Sequence, residues 1–324
     1  MPFEKEAYGA VDKSQWSLRP VPGIATYKGL IFGNWDEAAP PLVDYLGESA
    51  FYMDVMLDRS DRGTEVIGGL HKWVIPCNWK FAAEQFCSDM YHVPSTHLSG
   101  FVARAPENAK PEDMKMGTEG RQFRSEWGGH GAGFFLGSGG PQMMVATVGE
   151  VVANYWFVES ADVAERRLGN MRARQMSGAH MTIFPNLSFL TGVNTVRTWH
   201  PRGPDEIEVW AFTIVDADAS DEVKDNLRRS GSLAFSAAGL FEQDDAENWI
   251  EIQRVLRGHQ ARKQRFNVQM AIGREFGSHS DLPGRIGQVL AEEAARGFYA
   301  HWARMMTEPS WSTLKPQGAR CAAE

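Results

Sequence analysis

Asn78-Trp79-Lys80-Phe81-Ala82-Ala83-Glu84-Gln85-Phe86-Cys87-Ser88-Asp89-Met90-Tyr91-His92-Val93-Pro94-Ser95-Thr96-His97 is the stretch from which the rest of the chain can be read. Two imidazoles and a carboxylate fall within the nine residues Asp89 to His97, behind a run of apolar and aromatic side chains. Imidazole suits iron, zinc, copper and nickel, and a carboxylate from the second half of the chain would complete the facial triad of non-haem iron(II). His92 and His97 are five residues apart, so a regular helix would turn them off a common face, and Pro94 disfavours continuing one. The expected element is a helix from about Trp79 to Tyr91 that breaks near Pro94 and brings His97 back toward His92. Two histidines beside a proline are also common as packing or solvated residues, and spacing alone leaves both readings open.

Composition narrows the class. The chain has 324 residues with 43% hydrophobic content, enough for one large core or two modest ones. Eleven Trp and 18 Phe favour a well-packed protein with an apolar cavity. A net charge of −8 and a pI of about 5.7 favour neither nucleic acid nor an anionic membrane surface. No apolar run is long enough to cross a bilayer, and the N-terminus is charged rather than signal-like. Cys77, Cys87 and Cys321 make a disulfide scaffold unexpected and fit a reducing cytoplasm.

Taken in order, Met1 to about Val21 reads as loop, and Ala25 to Trp35 as a strand ending in turn formers. A connection follows from Pro40 to Gly47, and His71 to Pro76 reads as a strand leading into the histidine-bearing helix, with His71 at the surface. Gln122 to Trp127 reads as a strand before a tight glycine turn, in which His130 is a loop residue rather than a ligand. Val151 to Val158 and Glu206 to Val215 read as strands, and Arg202 to Asp205 turns Asn194–His200 onto the second as a hairpin. Ser220 starts a helix over Asp221 to about Ser230, and another runs from Phe241 to about His259. On that helix Asp244 and Asp245 are both candidate ligands, but adjacent helical positions point about 100° apart, so one of the two faces a metal. A last amphipathic helix is expected from about Ile286 to Met306, and a disordered tail after Pro316. Long antiparallel strands with covering helices imply an α+β fold.

Asn78 to His97, together with Phe241-Glu242-Gln243-Asp244-Asp245-Ala246-Glu247-Asn248-Trp249, resembles the mononuclear-iron segments of the large (alpha) subunit of Rieske-type aromatic-ring-hydroxylating dioxygenases. The resemblance extends to about Pro316 and is to the biphenyl, toluene and cumene branch. That branch usually carries one more residue between the two histidines; the shorter spacing is that of the naphthalene-type branch. The resemblance implies His92, His97 and Asp245 as ligands of Fe(2+). It implies Asp89 as the bridge that carries an electron from a cluster-ligand histidine of a neighbouring subunit. It places Gln85, Phe86, Met90, Val93, Gly178, His180, Leu190, Val193, Phe235 and Phe241 along an apolar substrate pocket, in a large antiparallel sheet with covering helices (the helix-grip fold).

A Rieske [2Fe–2S] cluster needs two Cys and two His, and neither Cys77 nor Cys87 has a histidine within three residues. Set against the family, residues 1–38 correspond to the last part of the Rieske domain, 39–316 to the catalytic domain, and 317–324 to a tail. The implied reaction adds both atoms of dioxygen to an aromatic hydrocarbon to give a cis-dihydrodiol, in a bacterial cytoplasm. The implied partners are a beta subunit in an α3β3 assembly, with electrons from NADH through a reductase and a ferredoxin. A truncated fragment or a hydrophobic-ligand binder with a vestigial site is the alternative, and a zinc hydrolase has only the ligand chemistry in its favour.

Overall fold

The computed structural model describes residues 3–110, 117–137, 140–274 and 276–314, so the expected tail after Pro316 lies outside the described residues. The chain divides into two compact units, one running to Leu42 and one starting at Val43. In the first, α1 (Glu4–Tyr8) and a 3-10 turn (Lys13–Gln15) occupy the stretch expected to be loop. Asp12 nucleates the turn by accepting the Ser14 backbone N–H at 3.1 Å. The single strand expected over Ala25–Trp35 is a hairpin, β1 (Gly23–Tyr27) paired with β2 (Leu30–Asn34). Lys28 and Gly29 both take positive φ, 47° and 86°. A two-residue turn of that kind matches the right-handed twist of hairpin strands.

The second unit is built on one eight-stranded antiparallel sheet. Its strands are β3 (Thr64–Ile75), β4 (Gly120–Arg124), β5 (Gly131–Leu136), β6 (Met176–Ile183), β7 (Leu187–Leu190), β8 (Thr195–Pro201), β9 (Ile207–Asp216) and β10 (Arg285–Gln288). Their spatial order is β10-β4-β5-β6-β7-β8-β9-β3. The hairpin expected around Arg202–Asp205 is the β8–β9 pair, in register from Thr195↔Thr213 to Pro201↔Ile207. The helices are α2 (Leu42–Leu46), α3 (Ser49–Leu57), α4 (Trp79–Ser88), α5 (Val93–Thr96), α6 (Leu98–Arg104), α7 (Gly140–Val148), α8 (Glu150–Asn154), α9 (Ala161–Asn170), α10 (Asp221–Phe235), α11 (Leu240–Leu256), α12 (Glu293–Thr307) and α13 (Trp311–Leu314). The architecture is α+β, a large antiparallel sheet with covering helices, as expected from the strand and helix patterns.

Helix α4 is the centre of the core. Its Ala82, Ala83, Phe86 and Cys87 are buried in one cluster with Ile75, Trp199, Ile207 and Val209 of the sheet and Phe298 of α12. Close approach depends on glycine in β5: a Cβ on Gly133 would lie 2.5 Å from Met90 Cγ, and one on Gly131 would lie 2.4 Å from Cys87 Sγ. The helix is tied to α12 by Tyr299 Oη donating to Glu84 (2.6 Å) and to α11 by Trp249 Nε1 donating to Gln85 Oε1 (2.8 Å).

Three expectations fail in instructive ways. Val151–Val158 is not a strand: it is α8 followed by a π-helical turn, Tyr155–Glu159. Its β-branched and aromatic residues bury Val152, Tyr155 and Trp156, three and four apart, so packing overrides strand propensity. Ile286 does not start the last helix; it lies in β10, an edge strand, and α12 begins at Glu293. Helix α10 continues to Phe235, five residues past Ser230, with the expected Ser220 cap donated to by the Val223 N–H.

Candidate metal centre

Helix α4 is capped by Asn78, whose side chain accepts the Lys80 N–H, and stops at Ser88, three residues before the expected end. Asp89 leaves helical geometry (ψ 79°), and its Oδ1 accepts the His92 backbone N–H at 3.0 Å, which turns the chain. Pro94 is not the breaker. It sits in the first turn of α5, where a missing N–H is harmless. That turn leaves His92 and His97 at the two ends of α5, with ring centroids 5.1 Å apart.

Helix α11 supplies the carboxylate. Phe241, Glu242, Asp245, Trp249 and Gln253 are its buried residues. Asp245 Oδ1 lies 3.5 Å from His92 Nε2 and 3.1 Å from His97 Nε2. Asp244 takes a different place. Its Oδ2 is 3.3 Å from His97 Nδ1 and accepts that N–H. On the other imidazole, His92 Nδ1–H donates to the Asp89 carbonyl at 2.7 Å. Both rings are therefore turned so that Nδ1 is engaged outward and Nε2 faces Asp245.

The residues fit a metal ion. His92, His97 and Asp245 form a set whose ligand atoms all lie within 4.8 Å of one another. Asp245 Oδ1 is buried without a hydrogen-bond donor, which is expensive for an anion unless a cation meets it. Donors about 2.1 Å from one ion and at right angles lie about 3 Å apart, close to the spacing found. Burial pulls the His92 imidazole down, but the Asp89 and Asp245 carboxylates overcome it and hold the ring above its ordinary value. Burial likewise opposes the Asp245 charge, yet the two imidazoles and the Gln85 amide keep its carboxyl below the ordinary range.

The three donors lie in the wall of a cavity of about 310 Å³. All ten residues expected along a pocket line it: Gln85, Phe86 and Met90 on and just after α4, Val93 on α5, Gly178 and His180 on β6, Leu190 and Val193 around the β7–β8 turn, and Phe235 and Phe241 from α10 and α11. His180 Nδ1–H donates to the Phe86 carbonyl at 2.8 Å and burial lowers the ring to about 4, so it is neutral; the clustered donors are His92, His97 and Asp245, without it. His130 is also no ligand. It is a buried clasp in its loop: Nε2–H donates to the Tyr45 carbonyl (2.8 Å) and Nδ1 accepts the Phe184 N–H (2.9 Å).

Sequence reasoning missed a further part of the cavity lining. Met144 on α7, Trp156 and Phe157 in the π-helical turn, Arg172–Gln175 in a second such turn and Met176 at the start of β6 line it. It also missed Asp244 as the partner of His97. The adjacent Asp pair was the available signal, since a metal-bound imidazole usually donates its other N–H to a carboxylate or carbonyl.

A family model described as ring hydroxylating alpha subunit (catalytic domain) matches residues 44–308. The chain is 56% identical to the biphenyl dioxygenase subunit alpha of Metapseudomonas furukawaii, covering 98% of this chain and 70% of that protein. It is 55% identical to the benzene 1,2-dioxygenase subunit alpha of Pseudomonas putida, covering 97% and 70%. The fold matches the crystal structure of naphthalene 1,2-dioxygenase from Rhodococcus sp. bound to indole, with a TM-score of 0.81, 37% identity and 95% and 72% coverage. Among the described residues, no helix is long and apolar enough to cross a membrane.

Proposed function

The chain belongs to the ring-hydroxylating alpha-subunit family, as a catalytic domain, and on that premise we propose that it is the oxygenase part of an aromatic-ring dioxygenase, adding both atoms of O2 to a one- or two-ring aromatic hydrocarbon to give a cis-dihydrodiol. The observation that carries the proposal is the convergence of His92 Nε2, His97 Nε2 and Asp245 Oδ1 in the wall of an apolar cavity. Iron(II) held by these residues would supply dioxygen activation, because three protein donors leave adjacent positions open.

The chain's own groups do the rest. Asp244 and the Asp89 carbonyl fix both imidazole tautomers from outside. Phe86, Val193, Phe235 and Phe241 hold a flat apolar ring against the donors and exclude water. His180, kept neutral by burial, puts no charge into that wall. Asp89, with part of its side chain open to solvent and one oxygen on the His92 N–H, is the group through which an electron would reach His92. The relatives are alpha subunits of multicomponent systems. A beta subunit, a ferredoxin and an NADH-dependent reductase belong to the same proposal. So does the reading of the N-terminal hairpin as the closing part of an iron–sulfur domain.

The test supplies both oxygens without an electron donor. An arene and hydrogen peroxide together have the composition of the dihydrodiol. The iron(II)-loaded chain with biphenyl or benzene and peroxide is expected to form cis-dihydrodiol, and Asp245→Ala is expected to form none. Phenols alone, formed equally by both proteins, would refute the proposal. Tight binding of the arene with no dihydrodiol would instead leave a hydrophobic-ligand module.

A further inference from the structure

Arg197 on β8 and Glu242 on α11 form an ion pair that nothing above uses. Arg197 is 0% and Glu242 1% exposed. As a source of stability such a pair is a poor explanation, because desolvating two charges costs about as much as their attraction returns and an apolar pair of equal volume usually serves as well. Its value must lie in direction.

We propose that this pair is the rotational anchor of α11, and that Arg197 acts through Glu242 as the positioning residue for Asp245. The inference rests on reading His92, His97 and Asp245 as the metal-holding set. Glu242 is three residues before Asp245, so the two lie about 60° apart on the helix, whereas a roll of about 100° would present Asp244 instead. With two adjacent aspartates, the helix needs something to choose between them. The later part of α11 is held by Trp249 on Gln85 and by Gln253, which accepts the Asn78 N–H and donates to Asp205. In the first turn the N-cap Gly239 offers no side chain, and Phe241 packs by its ring alone against His97, Phe101 and Phe235. Glu242 gives this turn a directional polar hold, through a guanidinium that also donates to the Phe235 carbonyl (3.3 Å) and to Thr195 Oγ1 (3.2 Å). One cation thus sets the carboxylate ligand and the adjoining cavity wall.

The experiment separates anchoring from folding by titrating cobalt(II) into the full chain and reading its visible absorption, beside thermal unfolding. Arg197→Met/Glu242→Leu removes both charges together and is expected to unfold within a few degrees of the wild type. Its cobalt affinity is expected to fall about 10- to 100-fold, the usual effect of losing a group that orients a ligand, with an altered visible spectrum. Arg197→Lys keeps the charge, but a single ammonium cannot serve Glu242, Phe235 and Thr195 at once, and weaker cobalt binding is again expected. A folded double variant, or a folded Arg197→Lys, with wild-type affinity and spectrum would overturn the proposal. Cobalt uptake that is the same in the wild type and in His92→Ala would overturn the ligand reading instead.

Discussion

Replacing Gly133 by alanine tests the packing that seats the histidine-bearing helix against the sheet. The new methyl would lie 2.5 Å from Met90 Cγ and 2.8 Å from its Sδ, whereas Met90 Cβ at 3.9 Å is an ordinary contact. Met90 is 1% exposed and lines the cavity, so its thioether can yield in one direction, into the space meant for substrate. Overpacking of this kind costs about 1–3 kcal/mol. At roughly 2–4 °C per kcal/mol for a domain of this size, Tm should fall by about 2–12 °C. The lost space should weaken turnover of a two-ring substrate by about 10- to 100-fold, from the 1–3 kcal/mol that one methylene is worth in such a pocket. A one-ring substrate should lose less. Calorimetry and competition between biphenyl and benzene read both effects. Met90→Ala in the same chain removes the clash, so the cycle should show strong coupling, with the second change costing less than it does in the wild type. A Gly133→Ala protein with wild-type Tm, or two effects that simply add, would refute the packing argument.

Other predictions follow from individual groups. Asp244→Ala frees His97 Nδ1 and should weaken metal binding about 10-fold while leaving about one site per chain, whereas Asp245→Ala should abolish the site; equal effects would mean that both carboxylates are ligands. Asp89→Asn should leave metal content unchanged and cut ferredoxin-coupled turnover in the assembled enzyme far more than peroxide-driven turnover; equal losses would remove Asp89 from the electron path. Burial holds His130 down at about 4, well below its free value of 6.5. Its contribution is therefore complete above pH 6.5 and is lost as pH falls toward 4, on the order of 3 kcal/mol over that window. The Tm of His130→Gln should be lower at pH 8 but fall less between pH 6.5 and 4.5, and parallel curves would contradict the assignment.

The donor residues were legible because chemistry restricts them. Few side chains hold iron, and His92, His97 and the Asp244–Asp245 pair stood in recognisable strings. What the sequence alone did not carry was direction. That Asp245 rather than Asp244 faces the imidazoles depends on the roll of α11, set by a cation on a strand some 45 residues earlier. Arg197 lies in Thr195–Pro201, and nothing in that string says that a charged residue will be enclosed, since its burial is created by α11 passing over it. Local rules failed where tertiary packing decides: Val151–Val158 has strand composition yet coils because it covers the cavity. The end of α4 at Ser88 was hidden for the opposite reason, a purely local one, since Asp89 diverts the chain by capping the His92 N–H.

Iron content after anaerobic iron(II) reconstitution, with wild type, His92→Ala and Asp245→Ala compared, tests the central claim most directly. About one iron per chain in the wild type and none above background in either variant is the result predicted for a two-histidine, one-carboxylate site. Iron retained in both variants, or absent from a folded wild-type chain, would contradict it.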